Sequence, residues 1–239
     1  MNRLLVVVGT DTGVGKTVVC AGLLHGLTAR GLKVAGFKPI ETGIPRTGDV
    51  SREPWPDWLR LEQASGQAPG SALGCSFALP AAPLAASLAS GAPIDIETLE
   101  EKLSSLIKEH DVVIVEGAGG LLVPILDGML WADYLPRLQP RCLVVGRLGL
   151  GSINHTLLTL EALRSRGIDP CGVVLCATEK PGPESEYTPA LISKFGDVVV
   201  FDTIYWGVVE PYLVAKQLEE MGLLDLFDPR STRPLSPTP

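Results

Sequence analysis

Short apolar runs alternate along this chain with longer stretches in which apolar positions recur every three or four residues. Residues 4–8 form an unbroken apolar run, which predicts a strand buried on both faces. Residues 18–30 read as a helix stopped by Gly31. Residues 33–37 predict a second strand, 99–108 an amphipathic helix and 112–115 a third strand. Residues 142–145 predict a fourth strand, followed by a helix from about 154 to 166. Residues 173–176 and 198–201 predict two more strands. Apolar strands without alternation, separated by helices, specify an α/β fold: a mostly parallel sheet covered by helices on both faces. Ligands of such sheets bind beyond the carboxyl ends of the strands. The residues that follow each run are therefore the first place to look for chemistry.

Two segments fall outside this pattern. Residues 43–56 mix glycine, proline and charge and predict a mobile loop. Residues 228–239 hold four prolines and predict a disordered tail, leaving 1–227 as one domain. A length of 239 residues suits a single α/β domain, and 46% apolar residues suffice for a sizeable core. The net charge of −7 comes without a Lys/Arg stripe, which argues against nucleic-acid binding. The five cysteines, Cys20, Cys75, Cys142, Cys171 and Cys176, are odd in number and form no C-x-x-C pair. They indicate neither a disulfide framework nor a zinc site, and they fit a reducing, cytoplasmic setting. The first apolar run is too short for a signal peptide or a membrane span, so no membrane association is expected.

The run at 4–8 leads into Gly9-Thr10-Asp11-Thr12-Gly13-Val14-Gly15-Lys16-Thr17. Strand, glycine loop, Gly-Lys-Thr and helix in this order make an anion cradle of the P-loop NTPase type, giving a three-layer P-loop fold. Gly13, Val14, Gly15, Lys16, Thr17 and Val18 are the expected nucleotide contacts. Lys16 is expected on the β- and γ-phosphates, and the Thr17 hydroxyl on Mg²⁺. The strict pattern wants glycine at position 10, where Thr10 stands instead. No Asn-Lys-x-Asp guanine reader occurs, and Asp11 occupies the place of the second loop lysine of partition-type ATPases.

The second strand runs into Gly36-Phe37-Lys38-Pro39-Ile40-Glu41-Thr42-Gly43, which aims Lys38 at the same cleft as Lys16. Two ammonium groups there could neutralise a transferring phosphoryl group and a second anion. The third strand ends in Glu116-Gly117-Ala118-Gly119-Gly120, a Walker B arrangement with Glu in place of Asp, suited to a hard cation. Asp57 opens Asp57-Trp58-Leu59-Arg60-Leu61 and has two readings, a helix N-cap or a metal ligand; Asp49 competes for the second. The histidines His25, His110 and His155 need no catalytic role.

These motifs, together with Gly149-Leu150-Gly151-Ser152-Ile153-Asn154-His155, resemble the dethiobiotin synthetase family in order and spacing across roughly residues 3–207. The resemblance implies a homodimer that binds ATP, Mg²⁺, CO₂ and 7,8-diaminopelargonate. It makes Lys16 and Lys38 catalytic, and Thr17, Asp57 and Glu116 the metal set. It puts Thr42 on the substrate, with Leu150, Gly151, Asn154 and Tyr187 at the substrate carboxylate across the dimer interface. Asp57, Glu116, Gly117, Ala118 and Gly119 join the nucleotide contacts. Cys176, Ala177, Tyr205, Trp206 and Gly207 take the base positions, with two departures. Cys176 stands where the family has an adenine-reading Asn, and the family's Ile-Pro is Ile204-Tyr205 here. Other triphosphates could therefore replace ATP. The rival function is a P-loop ATPase switch of the partition or MinD-like type that binds partner proteins.

Overall fold

The computed structural model describes residues 4–44 and 55–231. Asp49, the rival metal candidate, lies outside them, as do most of the expected loop and residues 232–239. The chain begins with β1 (Leu4–Gly9), α1 (Lys16–Ala29), β2 (Val34–Thr42), α2 (Asp57–Ser65), β3 (Leu73–Phe77) and α3 (Pro83–Ser90). It continues with α4 (Ile96–Glu109), β4 (Val112–Glu116), β5 (Pro124–Leu126), β6 (Met129–Leu130), α5 (Trp131–Leu138) and β7 (Arg141–Arg147). The last part holds α6 (Ser152–Arg164), β8 (Gly172–Cys176), α7 (Thr188–Gly196), β9 (Val200–Ile204), α8 (Pro211–Glu220) and α9 (Leu223–Phe227).

Seven strands form one parallel sheet in the order β3-β2-β4-β1-β7-β8-β9, and β5 and β6 make a small antiparallel ribbon. The unbroken apolar run of β1 is explained by its two faces. Val6 and Val8 pack into one core with α4, α5 and α6, and Leu5 and Val7 into the other with α1, α8 and α9. The expected three-layer α/β fold is what the chain adopts. From β1 the chain first builds the sheet on one side through β2, β3 and β4, then on the other through β7, β8 and β9. β1 is thus the switch point, and a ligand crevice opens beyond its carboxyl end.

The largest difference from the expected elements is β2, which runs to Thr42 instead of ending near residue 37. Its extra residues pair with the edge strand β3: Lys38 lies opposite Leu73 and Thr42 opposite Phe77. The expected tail begins at Asp228, where Arg230 donates to the Arg30 carbonyl at 3.0 Å. Among the described residues, no helix is long and apolar enough to cross a membrane.

Candidate active site

The loop between β1 and α1 turns back on two glycines with left-handed backbone, Gly13 (φ 72°) and Gly15 (φ 102°). At Gly15 conformation and space agree, because a Cβ there would lie 2.7 Å from the Cys176 Sγ. Gly15 caps α1, so its neighbours' N–H groups and the helix dipole face the crevice. Lys16 folds back over the loop and donates to the carbonyls of Asp11 (3.1 Å) and Gly119 (2.7 Å). Burial lowers its pKa, and Glu116 opposes that shift.

Thr17, one residue on, meets both carboxylates. Its hydroxyl lies 2.8 Å from Asp57 Oδ1 and 2.9 Å from Glu116 Oε1, and donates to one at a time. The Lys38 ammonium lies 2.6 Å from Asp57 Oδ2 and 2.6 Å from Glu116 Oε1. Burial alone would lower the Lys38 pKa, but the Glu116 and Asp57 charges outweigh it and hold it above the ordinary lysine value. Asp57 answers in kind: burial pushes its pKa up, Lys38 pulls it down, and the net shift is downward. Glu116 is buried deeply enough that desolvation wins over Lys38 and raises its pKa. Its Oε2 has no hydrogen-bond partner among the described residues.

These groups line one cleft of about 660 Å³, along with Gly13, Val18, Thr42, Ala118 and Gly119. A neighbouring hollow of about 490 Å³ shares Thr17, Val18, Trp55 and Arg60 with it. The N-cap reading of Asp57 fails, since α2 starts at Asp57 itself with Pro56 at the cap. Two of the orphaned N–H groups of that first turn are taken by Glu41, at 2.7 Å from Asp57 N and 3.1 Å from Trp58 N. Burial, then the negative charge of Asp57, push the Glu41 carboxyl up to about 7.

A family model described as AAA domain matches residues 3–207. The ATP-dependent dethiobiotin synthetase BioD of Anaeromyxobacter dehalogenans is 44% identical over 186 residues, 77% of this chain and 79% of the relative. The enzyme of that name from Methanococcus vannielii is 36% identical over 84% of this chain and 92% of its own length. The chain belongs to the ATP-dependent dethiobiotin synthetase family. The septum site-determining protein MinD of Pyrococcus horikoshii, solved with Mg-ADP, superposes with a TM-score of 0.53 at 17% identity. That match covers 97% of this chain and 98% of MinD, and it carries the fold alone.

Not every residue that the dethiobiotin synthetase resemblance singled out reaches the cleft of this chain. Gly117 packs over Trp131 and donates its N–H to the Val7 carbonyl at 3.1 Å. Cys176 is 5% exposed, with its thiol beneath Gly15 and its carbonyl bonded to the Leu148 N–H. Ala177 donates its N–H to the Ile204 carbonyl at 3.0 Å. Tyr205 and Trp206 follow β9 with both rings exposed, and Gly207 turns left-handed behind them. Leu150, Gly151, Asn154 and Tyr187 are all exposed and line neither hollow. Sequence reasoning missed Glu41, Trp55, Arg60 and the 80–83 segment of the cleft wall. The one available signal was a second charged residue, after Lys38, within the buried strand β2.

Proposed function

We propose that this cleft closes the ureido ring of dethiobiotin on 7,8-diaminopelargonate with CO₂, at the expense of ATP. The enzyme is an ATP-dependent dethiobiotin synthetase, a ligase of biotin biosynthesis. The observation that carries the mechanistic reading is the convergence of Lys16, Lys38, Thr17, Asp57 and Glu116 in one cleft with Thr42.

One amine of the substrate adds to CO₂ and loses a proton, giving a carbamate. A carbamate oxygen attacks the γ-phosphorus, ADP leaves, and a carbamic-phosphoric anhydride results. The second amine attacks the carbonyl carbon, phosphate leaves, and the five-membered ring is closed. Two anions, carbamate and triphosphate, must therefore meet at short range. In our reading the loop N–H groups and Lys16 hold the β- and γ-phosphates, and Lys38 offsets the charge shared by carbamate and transferring phosphoryl. Thr42, at the end of β2, is a hydroxyl contact for the substrate.

The residues also fit Mg²⁺. A hydroxyl and two carboxylates converge, all hard oxygen donors, and the buried Glu116 Oε2 lacks a partner among the described residues. Among the described residues no group of three or more His, Cys, Asp or Glu could hold a metal ion by itself, so Thr17, Asp57 and Glu116 would not be a complete set. That agrees with an ion that completes its shell with phosphate oxygens and water. When bound, Mg²⁺ supplies charge neutralisation and alignment of the phosphates. Thr17, Asp57 and Glu116 would hold it.

The dimer belongs to this reading as well. Asn154 and Leu158 lie one turn apart on α6 with Leu150 just before it, and Tyr187, at the cap of α7, leads into Leu191 and Phe195 at four-residue spacing. Leu150 is 86% exposed and Phe195 66%, and such side chains on and beside two packed helices suit a second copy of the chain. Asn154 and Tyr187 would then serve the cleft of the other subunit.

Phosphate release measured with and without diamine and bicarbonate tests the reading. Release is expected only when both are present. Steady ATP hydrolysis without them would favour the switch.

A further inference from the structure

We propose that Glu41 is a positioning residue that aims the Asp57 carboxylate at the cleft by holding the first turn of α2. The inference rests on the reading of Asp57 as a metal ligand. Glu41 is 6% exposed and sits near the end of β2. Both of its carboxylate oxygens are used, one on the N–H of Asp57 at 2.7 Å and one on the N–H of Trp58 at 3.1 Å. A helix start leaves such N–H groups without partners, and a side-chain oxygen at the N-cap normally takes one of them. Here the N-cap is Pro56, which has no acceptor on its side chain. A carboxylate from a different element replaces the cap, with charge-assisted bonds and the favourable end of the helix dipole.

The consequence falls on Asp57, because it opens that turn. Its backbone end is fixed by Glu41, and its side-chain end by Lys38 at 2.6 Å and Thr17 at 2.8 Å. Glu41 and Lys38 both belong to β2, so one strand sets both ends of the residue. The arrangement carries an electrostatic cost, since the two carboxylates repel. A Ser or Asn at position 56 would cap the helix without that cost. What Glu41 adds is a fixed register between the α2 start and the strand that carries Lys38.

The rest of α2 is anchored without Glu41. Gln67 accepts from the Gly36 N–H at 2.6 Å, Glu62 accepts from the Ala72 N–H at 2.9 Å, and the Leu61 side chain packs directly on Gly36. Removing the Glu41 carboxylate should therefore loosen one turn and leave the fold intact. A melting curve checks this.

The test reads binding rather than turnover. ADP affinity is measured by calorimetry with and without Mg²⁺, and the gain on adding Mg²⁺ is compared among variants. Outer-shell partners of metal ligands typically change metal affinity about 10- to 100-fold. Glu41→Ala should reduce the Mg²⁺ gain by about tenfold or more while leaving metal-free ADP binding unchanged. Glu41→Gln keeps one oxygen acceptor and should recover part of the gain. Asp57→Asn should remove most of the gain, and Glu41→Ala should cost nothing further in that background, because the group it positions is already gone. A loss of equal size in both backgrounds would show general loosening of the helix and overturn the proposal. An intact gain in Glu41→Ala beside a lost gain in Asp57→Asn would overturn it while leaving the metal reading standing. An intact gain in Asp57→Asn would sink the metal reading and this inference together.

Discussion

Lys38 carries its charge between a partly exposed carboxylate, Asp57, and a fully buried one, Glu116. Two effects follow from removing it. Lys38→Ala deletes one preorganised charge from the reacting region, which typically costs about 3 kcal/mol, or roughly 100-fold in rate. It also leaves Glu116 without its cation, and breaking a buried pair from one side costs about 3–5 kcal/mol of stability. We therefore expect Lys38→Ala to melt earlier, to bind ATP nearly as well as the parent, and to lose ring closure by at least that factor. Calorimetric nucleotide binding and dethiobiotin formation, both well below the melting point, check this. Near-normal turnover would remove Lys38 from the mechanism. Lys16, Thr17, Lys38 and Glu116 were legible in the sequence because each follows or ends an apolar run, and a parallel sheet brings all such ends to one edge. Asp57 was harder, since its place depends on how the chain returns after β2. The role of Glu41 was not legible: a charge within β2 marks the residue, but its partners are backbone N–H groups of another element, which no side-chain pattern advertises.

The elements themselves were read best where both faces are buried. β1, β4, β7 and β8 are built on the expected apolar runs and extend them by at most two residues at either end, whereas the edge strand β3, with its Gly74 and Ser76, gave no signal. α1 was legible as a long stretch after the glycine loop that Gly31 stops, but not the closeness of its packing. A Cβ at Gly22 would lie 2.4 Å from the Val214 Cγ1 and 2.8 Å from its Cβ, on a side chain with no exposure. Alanine normally favours a helix by about 1 kcal/mol over glycine. Here overpacking of about 1–3 kcal/mol should win, because the obstructing atoms include a Cβ that cannot swing away. Gly22→Ala is expected to lower the melting temperature, and Val214→Ala in the same chain should restore part of the loss. A rise in melting temperature for Gly22→Ala alone would mean that α8 yields more easily than its burial implies. The ends of β8 and β9 lead to a second expectation. Cys176 has its thiol under the phosphate loop, with a pKa pushed up to about 12 by burial, so it offers no amide to a base. Exposed Tyr205 and Trp206 could stack on any base for about 1–3 kcal/mol. CTP, GTP and UTP should then replace ATP with less than about a tenfold loss in kcat/KM, a gap of about 1.4 kcal/mol. A preference for ATP above about a hundredfold would show that another group reads adenine.

At the scale of the whole molecule, the three-layer architecture was legible because strand and helix periods alternate along most of the chain and strand burial on both faces admits few other folds. What no periodicity conveys is which exposed face meets another copy. Leu150, Leu158, Tyr187 and Phe195 are large, apolar and exposed, and they belong to α6, α7 and the residues just before each. Isolated exposed apolar side chains are ordinary, but several gathered on and beside two packed helices are not. If a symmetric dimer forms there, each cleft takes Lys38 from one chain and Asn154 with Tyr187 from the other. Lys38→Ala and Asn154→Ala homodimers should then both be inactive. In a hybrid of the two, one cleft carries both lesions and the other carries neither. Random mixing makes about half of the dimers hybrid, each with one intact cleft of two, so activity should return to roughly a quarter of the parent level. The measurement is dethiobiotin formation before and after subunit exchange, with the hybrid isolated by two different affinity tags. Activity in the isolated hybrid close to half of the parent is the expected result. An inactive hybrid of verified composition would mean that each chain builds its cleft alone, and that these exposed side chains serve some other contact.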